Sequence, residues 1–160
     1  MTKEKEAADR VETVQGYVKQ FLEAVPDPYW RTKGIAHSFG VSLAAVLLAK
    51  KRGLDPECAA IAGLLHDLYA YERRDYADHA HAGAARAGEI LKSLGLTTPE
   101  EDALITSAIY HHDDPTLIDG PMDELLKDAD LIDNALSHPA REVKENEAAR
   151  ISRLRDELEL

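Results

Sequence analysis

Residues 59–68, AAIAGLLHDL, are small or apolar on every side of a helix until His66 and Asp67. A helix that is hydrophobic all round has no face to offer water, so the rest of the chain must fold around it. The run therefore carries a histidine and an aspartate into the interior. Burying an imidazole without a partner costs about 1–3 kcal/mol, and a buried carboxylate costs more unless it is paired or ligates a cation.

The flanking sequence supplies the helices that would surround this run. Val11, Val14, Val18, Phe21, Leu22 and Val25 recur at helical spacing, which predicts an amphipathic helix from about residue 4 to residue 25. Pro26-Asp27-Pro28 stops it. A second helix is predicted from Trp30 to Arg52, with Gly53 as its stop. Asp55 caps a third, with Pro56 at its first position and Glu57 in its first turn. YERRDYAD reads as a loop, and a fourth helix spans Asp78 to Leu94, closed by Gly95. Thr98-Pro99-Glu100-Glu101 fits a capping box, opening a fifth helix that reaches His112. After the loop DDPTLIDG, Pro121 opens a sixth helix, and His138-Pro139 breaks it. Val143, Ile151, Leu154 and Leu158, set among charges, suit a final surface helix. No strand pattern or repeat is present. The expected architecture is all-α, one compact bundle of six or seven helices in a single domain over residues 1–160.

Composition narrows the classes. The 160 residues are 44% hydrophobic and 31% charged, enough for a core and a solvated surface. No uninterrupted apolar run reaches about 18 residues, so no membrane span is expected. MTKEKEAADR has no apolar signal region, and Cys58 is the one cysteine, so no intrachain disulfide forms. These features predict a cytoplasmic protein, with Cys58 a small core residue. A net charge of −11 without a basic stripe argues against nucleic-acid polymers and anionic membranes as partners. A small phosphorylated ligand stays compatible, because a bound cation reverses the field inside a pocket. Nothing in the sequence assigns an oligomeric state.

The chemistry lies in seven histidines, His37, His66, His79, His81, His111, His112 and His138, most of them beside acidic residues on helices. One histidine on an apolar face is ordinarily a satisfied core residue; several at once fit a shared cation better. Imidazole and carboxylate ligands suit Mn, Fe, Zn or Mg, and the lack of a thiolate set excludes a structural zinc finger. His66 and Asp67 point about 100° apart on a helix, so both reach one site only near a helix end.

In this order, His37, "LLHD" with His66-Asp67, and Asp130 in "LLKDADLID" resemble the H…HD…D signature of the HD-domain superfamily of metal-dependent phosphohydrolases. "AHSFGVSLAAVLLAKKRGLDPECAAIAGLLHDL", "DHAHAGAARAGEIL" and "SAIYHHDD" resemble its core helices, so the similarity covers residues 29–136. The resemblance implies His37, His66, Asp67 and Asp130 as metal ligands. It favours His79 over His81, because His79 stands four residues before Gly83 as the H-x-x-x-G-A pattern requires. On the fifth helix, Leu104, Ile105, Ala108 and Ile109 define an inward face that includes His112 and leaves His111 to one side. With His79 and His112 the set resembles dinuclear members, in which the aspartate bridges two ions.

The activity implied is hydrolysis of a phosphate ester or anhydride of a small metabolite, with nucleotides favoured. Asp67 and His66 stand at its centre, and a metal-bound hydroxide attacks phosphorus. One or two divalent transition metals, Mn, Fe or another, are the implied cofactor. Arg73, Arg74 and Lys127 are candidates for holding phosphate, Asp133 and Asn134 for orienting ligands, and His111 for the pocket edge. Solvated or capping roles compete for each. Tyr69, Tyr71 and Tyr76 either stack on a base or cover the core. Two alternatives accompany this reading: a di-iron oxygenase on the same fold, and a ligand-binding domain without turnover.

Overall fold

The structure, a computed structural model, describes residues 3–160, with side chains from Arg10 onward; Met1 and Thr2, and the side chains of the charged N-terminal stretch before Arg10, lie outside the described residues. Eight helices follow in chain order: α1 (Lys3–Glu23), α2 (Pro28–Arg52), α3 (Pro56–Leu65), α4 (Leu68–Arg73), α5 (His79–Leu94), α6 (Pro99–His111), α7 (Pro121–Ser137) and α8 (Glu145–Leu158). No strand occurs among the described residues.

Most boundaries are set by the residues that suggested them. Asp27 accepts hydrogen bonds from the Tyr29 and Trp30 amides at 2.9 and 3.1 Å and so caps α2. Asp55 does the same for α3, at 2.9 Å from both Glu57 and Cys58. Thr98 and Glu101 form the reciprocal box at the start of α6. Gly53 and Gly95 end α2 and α5 in the left-handed region, at φ 67° and 62°.

The exception is α4, expected as loop. Its Leu68, Ala70 and Tyr71 are buried, and Asp67 occupies its N-cap position at φ −111°, ψ 7° without capping it. The carboxylate that would mark a helix start points elsewhere, so the usual signal is missing.

α3 sits at the centre, with every residue from Cys58 to Leu65 buried. It packs chiefly against α2, then α6, α1 and α7, while α5 lies along α6. Val14, Val18 and Leu22 of α1 close one side with no exposed area. α8 is held to the bundle by charge as much as by Ile151 and Leu154. Arg52 pairs with Asp128 and Glu157 at 2.7 and 2.8 Å, and Arg150 pairs with Asp128 and Glu124.

By length and composition α2 could cross a membrane, with a mean hydropathy of 1.3 over its most apolar window. Its Val41, Ala45, Leu48 and Ala49 are fully buried in the bundle, whereas Leu43 and Leu47 are exposed. The charge-interrupted run that suggested no span is thus a core helix with one apolar stripe turned outward.

The tightest crossing is between α2 and α3. A Cβ on Gly63 would stand 2.7 Å from Ser42 Cα and 2.8 Å from its amide nitrogen, both backbone atoms that cannot turn aside. Gly63→Ala is expected to cost about 2–3 kcal/mol or more by overpacking, lowering Tm by roughly 5–10 °C. Gly16→Ala in α1, where a Cβ meets nothing within 4 Å, should leave Tm unchanged or raise it. Thermal melts followed by circular dichroism check both.

Candidate metal centre

Six side chains from five helices and one turn meet at the broken end of α3. His37 comes from the middle of α2, His66 from the C-cap of α3, Asp67 from the turn after it, His79 from the start of α5, His112 from the C-cap of α6, and Asp130 from the middle of α7. His66, Asp67, His79 and His112 are buried.

The distances fall into two nests joined by Asp67. Around Asp67 Oδ2 stand His66 Nε2 at 3.5 Å and His37 Nε2 at 3.6 Å. Asp130 Oδ1 completes this nest, 2.9 Å from His37 Nε2 and 3.8 Å from His66 Nε2. Around Asp67 Oδ1 stand His112 Nε2 at 3.3 Å and His79 Nε2 at 3.4 Å. Two triads have donor atoms close enough together to share a cation: His37–His66–Asp130 and His66–Asp67–His112.

Every Nδ1 is turned away and occupied. His66 donates from Nδ1 to Gly63 O at 2.8 Å, His79 to Tyr76 O at 2.7 Å, and His112 to Ile109 O at 2.6 Å. His37 donates to Asp133 Oδ2 at 2.7 Å. With Nδ1 committed as a donor, each ring when neutral presents a bare Nε2 lone pair to the centre, the tautomer a metal requires. Asp67 Oδ1, buried and without a hydrogen-bond partner, faces two of them. Lone pairs converging on one buried point fit a divalent cation in N and O coordination.

The electrostatics agree. Burial pulls the His37 imidazole down, but its bonds to Asp130 and Asp133 and the charge of Asp67 push it up to about 10. His112 is raised to about 9 against burial, chiefly by Asp67. His66, fully enclosed, is lowered by burial. Burial opposes the Asp67 and Asp130 carboxylates, yet the surrounding imidazoles hold both below the ordinary range. A proton thus occupies the place a cation would take.

Around the cluster, Asn134 donates from Nδ2 to Asp130 Oδ1 at 3.1 Å. Asp133 fits only because residue 40 is glycine: a Cβ there would fall 2.0 Å from Asp133 Oδ1. Asp133 and Asn134 are therefore placed to orient His37 and Asp130.

The other candidates lie elsewhere. His111 stands outside the cluster, bonded from Nδ1 to Ser107 O at 2.9 Å and near Asp123 and Asp119. Leu104 proves 39% exposed, so the inward face of α6 is Ile105, Ala108 and Ile109, and it still carries His112 inward. His81 is exposed, stacked on Tyr110 and bonded to Asp78. Arg73 and Arg74 are exposed and are not among the residues that line the cavity. The three N–H donors of Lys127 go to Leu117 O, Asp119 and Glu124. Tyr71 is core, whereas Tyr76 lines the cavity.

A cavity of about 960 Å³ opens over His37, Asp67, His79 and Asp130. Its walls bring in residues that the sequence had not singled out: Tyr29, Lys33, Asp113 and Arg141. Lys33 had a usable signal, one helical turn before His37. Arg141 follows the His138-Pro139 break, where periodicity says nothing.

Comparison with known proteins agrees with this geometry. The HD domain family model matches residues 34–137. A Bacillus subtilis protein, "Putative phosphohydrolase YueE", is 33% identical over 129 residues, covering 71% of this chain and 73% of its own. Ribonuclease Y of Opitutus terrae is 35% identical over 79 residues, 49% of this chain but 14% of that protein. A crystal structure from an uncultured Thermotogales bacterium, described as a predicted HD superfamily hydrolase, aligns over 92% of this chain and 88% of its own at TM-score 0.63 and 26% identity. The chain belongs to the HD domain family.

Three outcomes test the centre. Gly40→Ala should push Asp133 off His37 and weaken metal binding about 10–100-fold while leaving the helices intact, as read by competition with a chelating dye. Metal must also displace the protons on His37 and His112. Both pKa values are raised, to about 10 and about 9, above the ordinary 6.5. In metal-free protein their contribution to stability is therefore complete below about pH 6.5 and lost as pH rises through 9 to 10. Loading with Mn²⁺ at pH 7.5 should release about two protons per chain, measured by calorimetry in buffers of different ionisation enthalpy. The rise in Tm on adding Mn²⁺ should be larger at pH 8 than at pH 6.

Proposed function

We propose that the chain is a metal-dependent phosphohydrolase acting on a small phosphorylated metabolite, a nucleotide by preference, with two divalent ions at the cluster. The observation that carries this reading is the Asp67 carboxylate, which turns one oxygen to each of two histidine nests. When bound, such ions lower the pKa of a coordinated water and neutralise charge on a transferring phosphoryl group.

The chain's own residues supply the rest. His37, His66 and Asp130 define one position and His79 and His112 the other, and Asp67 joins them. The Nδ1 bonds fix each ring in the ligating tautomer, so little reorganisation is needed when charge develops. Asp113 and the cluster aspartates oppose a phosphate in the cavity, so substrate binding would gain from ions at the cluster. The cavity, about 960 Å³, is of the size that takes a nucleotide-sized molecule, with Tyr29 and Tyr76 available against an aromatic ring.

The test is a screen of phosphate esters and anhydrides, nucleotides included, with Mn²⁺-loaded protein. Turnover is expected, and Asp67→Ala should lose both metal and activity, the latter by about 10³-fold or more. Helical content should persist, because the apolar core is untouched. Equal metal content and activity in the two proteins would reject the reading.

A further inference from the structure

Lys33 sits one turn before His37 on α2 and lines the cavity over the cluster. Its ammonium lies 4.8 Å from the centroid of the Tyr76 ring and 5.6 Å from that of Trp30. Among the described residues no carboxylate pairs with it.

Most other half-buried or buried cations of this molecule, Arg31 apart, do face carboxylates. Arg10 is held by Glu57 and Glu101, Arg52 by Asp128 and Glu157, Lys127 by Asp119 and Glu124, and Arg150 by Glu124 and Asp128. Arg141, which also lines the cavity, is bound to Glu147 at 3.0 Å. The chain has 30 acidic side chains against 19 basic ones. A half-buried cation left unpaired in that company costs free energy unless an anion stands before it. Burial opposes the charge, contact with Tyr76 supports it, and the balance lies above the ordinary lysine value, so the ammonium is charged at neutral pH. The rings of Trp30 and Tyr76 hold both the stem and the head of the side chain.

We propose that Lys33 binds a non-bridging oxygen of the phosphate at the cluster and selects a terminal phosphate, with three free oxygens, over a phosphodiester. The proposal rests on the phosphohydrolase reading. Residues one turn apart carry their Cβ atoms about 5–6 Å from each other, so a phosphate set against the His37 nest is within reach of the lysine head. Two of its oxygens face the two nests and the third faces Lys33. In a diester that third substituent is an ester oxygen bearing carbon, which brings bulk and no charge against the ammonium.

Lys33→Met keeps the stem on the aromatic rings and removes the charge; Lys33→Arg restores a cation. Three quantities are read on Mn²⁺-loaded proteins: metal content, orthophosphate affinity by calorimetry, and kcat/KM for para-nitrophenyl phosphate and bis(para-nitrophenyl) phosphate. Metal content should be the same in all. Orthophosphate affinity should fall about 10–100-fold in Lys33→Met and largely return in Lys33→Arg. The wild type should prefer the monoester, and Lys33→Met should narrow that preference about tenfold or more through the monoester alone. Equal orthophosphate binding in wild type and Lys33→Met would overturn the proposal, as would a wild-type preference for the diester or loss of metal from Lys33→Met. A wild type that cleaves neither ester yet binds orthophosphate through Lys33 would remove the hydrolase reading and support the anion site.

Discussion

The buried Asp67 carboxylate is the constraint around which the bundle is arranged. It is 5% exposed, one of its oxygens has no hydrogen-bond partner, and four imidazoles turn Nε2 toward it. An anion so placed is tolerable only with positive charge beside it, a proton or a metal. Its position also sets the chain's path. α3 has to stop at Leu65 so that adjacent residues 66 and 67 can face one point, and the break gives α4 its start.

The imidazoles are held by a device that suits where each one sits. His66 and His112 are C-caps, and the last carbonyls of a helix lack intrahelical donors. Each ring reaches back three residues and donates Nδ1–H, to Gly63 O and to Ile109 O, which also takes the His112 backbone N–H, so the helix end itself fixes the tautomer. His79, first in α5, uses Tyr76 O, just before its helix. His37 lies in mid-helix, where every carbonyl is already engaged. It needs an acceptor from another element, and Asp133 of α7 provides one across the gap left by Gly40. The site therefore depends on a helix crossing as well as on its ligands.

Much of this was legible in the sequence because it is local. Caps at Asp27, Asp55 and Thr98, stops at Gly53 and Gly95, and the apolar phase of α6 that separates His112 from His111 all act within one turn or two. What escaped is non-local. α4 was hidden because its capping aspartate is diverted to the cluster and its outward face is charged. Lys127 reads as a pocket base one turn before Asp130, but a loop carbonyl and two acids from outside the cavity take its donors. Lys33 carries the opposite lesson: an ordinary lysine in sequence becomes distinctive only when the folded chain brings it aromatic rings and no carboxylate. Asp133 could be named as an orienting group, yet the room for it depends on residue 40 of a different helix.

The same charges bear on the order of events in the proposed reaction. With a net charge of −11 and Asp67, Asp113, Asp130 and Asp133 around the cavity, the field of the metal-free site is offset only in part by the protons on His37 and His112. Lys33 alone does not reverse that field. Two divalent ions would add four positive charges and release the protons on His37 and His112, a net gain of about two charges at a buried point within a chain that stays acidic overall. On the proposed reading, metal would then precede substrate, and anionic ligands would bind with an affinity that follows the occupancy of the cluster.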